Sequence, residues 1–121
     1  MILHKLGIRG LEDNLIFHLH NPESPTWHSV QESFKKISKI AKENKSEVLL
    51  VIFPEIDFLS EDYIFSEVNK QVEQEAEKHG FYVLDLAYHY KAYPSEEIRV
   101  GPDDGHPNAI ANEIAADAIY D

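Results

Sequence analysis

Between Gly101 and Asn108 the chain reads Gly-Pro-Asp-Asp-Gly-His-Pro-Asn, which places two carboxylates, a histidine and a turn directly ahead of a helix start. These residue types can move protons. A carboxylate three residues before a histidine, across a tight turn, can accept the imidazole Nδ1 proton and leave Nε2 to act as a general base. Asp103 and His106 have that spacing and are the candidate orienter and base. The same octapeptide is equally a plain polar turn with a helix cap, because Asp, Gly, Pro and Asn are favoured in turns for backbone reasons. Two Asp and one His can also meet at a metal ion, but no second His or carboxylate cluster stands at telling spacing, and no metal or other cofactor is assigned.

The remaining reactive side chains form no comparable group. His18 and His20 alternate as if on one strand face but lack a third ligand. Tyr88, Tyr90 and Tyr93 read as packing under a loop. Eight serines are present, none in a G-x-S-x-G elbow or a glycine-rich turn after a strand, so no nucleophile can be named. There is no cysteine, which removes thiolate metal sites, disulfides and a cysteine nucleophile together.

A few plain elements must position the octapeptide. Ser24-Pro25 is a helix-start signal, and Trp27, Val30, Phe34, Ile37 and Ala41 follow at spacings of three and four, predicting a helix over 26–44. Val48 to Phe53 is apolar at every position, the mark of a strand buried on both faces of a parallel sheet. Ser60, with Glu61 and Asp62 after it, opens a second helix over 61–79 that Gly80 closes, and Phe81 to Leu86 reads as a second strand. Strand, helix and strand make a βαβ unit with parallel strands, so the fold class is α/β. Pro107 with Ile110, Ala111, Ile114, Ala115 and Ala118 predicts a last helix over 107–119. In such sheets the ligand crevice lies beyond the carboxyl ends of the strands, and Asp103 and His106 are expected on one loop beyond the carboxyl end of the Phe81–Leu86 strand.

At 121 residues the chain reads as one domain, 1–121. Eleven Lys and Arg against 22 Asp and Glu give a net charge of −11, with residues 61–121 alone carrying four basic and fourteen acidic side chains. Such a surface repels phosphate backbones and anionic headgroups, so neither nucleic acid nor a membrane is an expected partner. Near the N-terminus the longest uncharged apolar stretch, Leu15 to Leu19, is too short for a membrane span or a signal-peptide core. Two buried parallel strands would leave apolar edges open to other chains, and self-association through an open edge, or only marginal stability, is expected. Residues 1–23 would have to cover those edges. Met1 to Leu6 and Leu15 to Leu19 are the only short-strand candidates there, and neither has the length to do so, which makes the chain read as the later part of a larger α/β domain.

The block Asp103 to His106, followed by Pro107, Asn108 and an alanine-rich helix, resembles the last conserved block, D-x-x-H-P-N, of the SGNH (GDSL-type) hydrolases. The upstream order agrees over roughly residues 20–121: Trp27 opening a helix, a strand ending in Phe53-Pro54, a helix to Gly80, and Phe81 to Leu86. The resemblance implies a serine esterase or acyl hydrolase on a three-layer α/β/α, flavodoxin-like fold, without metal or organic cofactor. It makes His106 the general base and Asp103 its orienter, acting on a small-molecule ester. The family's early G-D-S block and its later Gly and Asn oxyanion residues have no counterpart in this chain, and Ala111-Asn112 stands where many members show Gly-His. The expectation is therefore a C-terminal portion that supplies base and orienter and is inactive alone. A non-catalytic α/β binding or interaction module, with the octapeptide as a mere cap, is the reading from another class.

Overall fold

Two short apolar strands lying parallel organise the second half of the chain. The structure, a computed structural model, describes residues 15–60 and 62–121. It divides the chain into two compact units, one ending at Ser46 and one spanning Glu47–Asp121.

In the first unit residues 15–19 are helical, not a strand. The Leu19 carbonyl at the end of this turn accepts both the Ser24 hydroxyl at 3.0 Å and the Thr26 hydroxyl at 2.7 Å, which folds the chain back toward the next helix start. The other short-strand candidate, Met1 to Leu6, lies outside the described residues. Helix α1 spans Pro25–Glu43, and Ser24 Oγ accepts the Trp27 N–H at 3.1 Å, the cap that Ser-Pro signals. Its far end closes with Lys45 at φ 54°, the Ser46 N–H bonded to Ala41 C=O and the Lys45 N–H to Lys42 C=O. Those are the two bonds of a Schellman closure. Trp27 and Ser38 are buried, whereas Ile37 is 44% exposed. At about 100° per residue, an eleven-residue step returns to the starting face and a ten-residue step misses it by about 80°. The buried stripe therefore runs through Ser38, where apolar spacing alone points to Ile37.

In the second unit β1 (Leu49–Ile52) pairs parallel with β2 (Tyr82–Asp85), in register from Leu49 opposite Tyr82 to Ile52 opposite Asp85. The expected α/β pairing is present. Helix α2 (Ser66–Lys78) makes the crossover and begins five residues later than its Ser60 signal. Aromatic packing takes the intervening residues: Tyr63 and Phe65 are buried, and the Phe65 ring stands edge-on to Phe58 at 5.5 Å and to Tyr63 at 5.7 Å. The Tyr63 hydroxyl also accepts the Glu55 N–H at 2.7 Å. Gly80 ends α2 at φ 80°, with the Phe81 N–H on Ala76 C=O and the Gly80 N–H on Glu77 C=O. A left-handed residue is needed there, and glycine adopts it without strain.

The remaining elements are α3 (Ala87–Tyr90), α4 (Ser95–Ile98), β3 (Arg99–Gly101), β4 (Asp104–Pro107) and α5 (Ala109–Tyr120). Their core is Ile56, Leu86, Tyr90, Ile98, Ala111 and Ala115, against which Val51, Leu84 and Ile114 pack. Burying each large apolar side chain of this set stabilises the unit by about 1.5–3 kcal/mol. The sheet itself is not covered on both faces, because Leu49 is 44%, Phe53 49% and Tyr82 60% exposed. Double burial, expected from the unbroken apolar run, does not hold among the described residues.

Candidate active site

The octapeptide is a hairpin rather than a loop. β3 and β4 pair antiparallel, with Arg99 opposite Pro107 and Gly101 opposite Asp104, and Pro102-Asp103 make the two-residue turn. Two residues, Gly105 and His106, thus face the single residue Val100. This is a β-bulge, a device that bends a strand and re-aims its side chains. Pro107 belongs to the strand, and the last helix starts at Ala109 behind Asn108, whose Oδ1 accepts the Ala111 N–H at 3.0 Å. The Asn108 amide also donates to Glu97 C=O and Arg99 C=O, both at 3.0 Å, and its backbone N–H donates to Ile98 C=O. One side chain therefore locks the exit of β4 to α4, β3 and α5 together.

His106 Nδ1–H donates to Asp104 Oδ1 at 2.5 Å, and the same oxygen accepts the His106 backbone N–H at 3.0 Å. The ring's partner is thus Asp104 and not Asp103, which sits in the turn. The Asp104 carboxylate accepts the backbone N–H two residues on, as in an Asx-turn, and this holds it beside the ring, whereas contact at three apart requires the turn that the motif spacing suggests. Nε2 has no hydrogen bond among the described residues. Hydrogen bonding to Asp104, and then the charge of that carboxylate, hold the His106 pKa above its ordinary value. The Asp104 carboxyl is lowered in turn by the His106 ring and then by the His106 N–H. Both side chains are open to solvent, at 85% and 48% exposure.

A cleft of about 400 Å³ runs beside the pair. Phe53, Pro54 and Glu55, at the carboxyl end of β1, form one wall, and Asp103 to Pro107 of the hairpin form the other, with Asp57 between them. The crevice thus opens at the end of β1. Asp57 Oδ1 accepts from Arg99 Nη1 at 2.8 Å, and Gly105 lies so close to this carboxylate that a β-carbon there would approach Asp57 Oδ2 to 2.5 Å. The hairpin rests on the turn Ile56–Phe58 through this contact, which glycine alone allows without displacing the carboxylate.

Chemically the arrangement is a carboxylate-held imidazole with its second nitrogen unbonded, on the rim of an open, acidic cleft. It can take and return a proton. No serine lines the cleft, and no group of three or more His, Asp or Glu is placed to hold a metal ion among the described residues. Sequence reasoning found His106 and the octapeptide but not Asp104, Asp57 or the locking role of Asn108. The alternation of Asp104 with His106 was a usable signal, whereas nothing in the sequence around Asp57 marks its contact with residue 105. Compared with known proteins, the chain matches no family model, no curated protein and no solved structure.

Proposed function

We infer that the chain carries the base-bearing part of a serine ester hydrolase of the SGNH type, on what would be a three-layer α/β/α domain when complete. The observation that carries this reading is the His106–Asp104 hydrogen bond at the mouth of a cleft lying at a strand's carboxyl end. The D-x-x-H block gives the orienting place to Asp103, while the hydrogen bond favours Asp104 for it, with Asp103 on the rim of the same cleft.

The chemistry follows from the free Nε2. A serine hydroxyl brought to it would lose its proton to the ring as Oγ bonds to the ester carbonyl carbon. The tetrahedral intermediate then expels the alcohol, which takes that proton from the imidazolium. Water repeats the sequence on the acyl-enzyme, releasing the acid and restoring the serine. Asp104 keeps the ring in the required tautomer and steadies its charged form. Backbone or amide donors for the oxyanion would come with the serine-bearing segment.

Incubating the chain with p-nitrophenyl acetate and with a fluorophosphonate serine probe tests this. The chain alone should hydrolyse no faster than free imidazole and take up no label. Adding a segment that bears a G-D-S block should restore both, and His106→Ala should abolish them. Labelling of the isolated chain would defeat the claim that the nucleophile comes from elsewhere. Restored activity indifferent to His106→Ala would overturn the role of the histidine.

A further inference from the structure

A second, smaller cavity of about 120 Å³ opens in the second unit, at the carboxyl end of β2. Its lining is mostly polar. Asp85, the last residue of β2, is held at its base: Oδ1 accepts the Ala87 N–H at 2.9 Å, and the Asn69 amide donates to both oxygens at 3.3 and 3.2 Å. Asn69 is only 8% exposed and Tyr63 only 4%. Each leaves one polar group without a partner among the described residues. Asn69 Oδ1 accepts nothing. The Tyr63 hydroxyl accepts the Glu55 N–H but donates its own proton to no one. Burial, first of all, pushes that hydroxyl up to about 12, so it remains a donor. Buried polar groups of native proteins are nearly always satisfied, and orphans of both signs in one cavity point to an occupant that both donates and accepts.

Charge sharpens the choice. Asp85 is half-buried and has no cationic partner among the described residues. The lining also carries half-buried Glu73 and the exposed Lys70 and Lys91, so the four charged groups of the cavity sum to zero. Lys70 is drawn to Glu67 at 3.6 Å, while Lys91 lies 5.6 Å from the Tyr88 ring at the rim. A cation would suit Asp85 and be repelled by Lys91. An anion would meet the reverse. We propose that this cavity binds a small zwitterion, an amino acid whose ammonium sits on Asp85 and Asn69 Oδ1 and whose carboxylate faces Lys91 and the Tyr63 hydroxyl. The volume admits a handful of heavy atoms, the size of glycine or a close relative.

Titrating the full chain with glycine, methylammonium and acetate, with amide NMR as the readout, tests the proposal. The reporter is the Ala87 N–H, because it bonds directly to Asp85 Oδ1. Glycine should give a saturable shift, and each one-ended probe should bind about tenfold more weakly or worse, the size of one lost charge-assisted contact. Asp85→Asn, which keeps an acceptor for the Ala87 N–H, should weaken glycine and methylammonium alike by about tenfold. Lys91→Gln, on the exposed rim, should weaken glycine and leave methylammonium unchanged. If Asp85→Asn unfolds the unit, the Lys91→Gln comparison decides alone. Absence of a saturable glycine shift would overturn the proposal and leave a cavity filled by solvent, and acetate binding as tightly as glycine would overturn it in favour of a plain anion site.

Discussion

Gly105 and Asp57 stand so close that a β-carbon on residue 105 would come within 2.5 Å of Asp57 Oδ2. The carboxylate cannot swing aside freely, because Arg99 holds its other oxygen at 2.8 Å. Gly105→Ala should therefore lower the unfolding free energy by about 1 kcal/mol, the scale of a partly exposed ion pair given up to relieve the clash. In an Asp57→Ala background the same change should cost much less, since the obstructing atoms are gone. Urea denaturation of the four proteins in this cycle measures the coupling. Equal costs in both backgrounds would show that the hairpin does not rest on Asp57.

Which carboxylate governs His106 can be read from its titration. With Asp104 as the partner, the wild-type imidazole should titrate above the ordinary 6.5, and Asp104→Asn should bring it back toward that value. Asp103→Asn should leave it much closer to the wild type. The signs for stability run in opposite directions. A raised histidine pKa contributes stability that is full below 6.5 and is lost as pH rises through the folded value. A lowered carboxyl pKa contributes stability that is present above 3.8 and is lost as pH falls through the folded value. The ion pair thus helps only between the two folded values, and any activity relying on neutral His106 should rise with pH through the upper one. Histidine NMR across the three proteins checks it, and a larger effect from Asp103→Asn would return the orienting role to that residue.

Elements governed by local chemistry were legible in the sequence, and those governed by distant contacts were not. Ser24-Pro25 and Gly80 marked their helix ends because caps and left-handed turns act over a few residues. Val48 to Phe53 and Phe81 to Leu86 declared a parallel pair through their continuous apolar runs. The start of α2 was misplaced because Tyr63 and Phe65 serve an aromatic cluster with Phe58, seven residues from Phe65 along the chain. The hairpin stayed hidden because Pro, Asp and Gly disfavour strands on their own, and only the pairing of Arg99 with Pro107 makes them one. Within the site, histidine and octapeptide were visible, while the choice of Asp104 over Asp103 depended on that unseen strand.

Tyr90 is wholly buried, and its hydroxyl donates to Ala111 C=O at 3.0 Å, tying α3 to the helix that Asn108 caps. Tyr90→Phe keeps the ring and removes a hydrogen bond that the Ala111 carbonyl accepts beside its helical one, at a cost of about 1 kcal/mol. Tyr90→Ala also leaves a cavity and should cost about 3–5 kcal/mol. Both values come from denaturant midpoints at constant slope. Because α5 and the hairpin share the Asn108 lock, Tyr90→Ala should also broaden the His106 NMR signals. A Tyr90→Phe protein as stable as the wild type would mean that the hydroxyl contributes nothing to the core.

The half-exposed sheet sets the last expectation. Among the described residues β1 and β2 pair only with each other, so each has an outer edge of unpaired backbone groups, and Leu49, Phe53 and Tyr82 leave apolar surface beside it. Two copies meeting edge to edge would cover both kinds of surface. Charge opposes them, because fourteen acidic and four basic side chains in residues 61–121 give each copy a net −10 over that stretch. Raising ionic strength shortens the Debye length from about 30 Å at 0.01 M to about 8 Å at 0.15 M and weakens the repulsion, while the apolar contact is unaffected or strengthened. Self-association should therefore grow with salt, opposite to the behaviour of an interface built on ion pairs. Sedimentation equilibrium at several salt concentrations measures it. Tyr82→Lys, on a largely exposed position at the start of β2, should lower the association at every salt concentration without unfolding the chain. A species that stays monomeric at high concentration and high salt would mean that residues outside the described set close the edge.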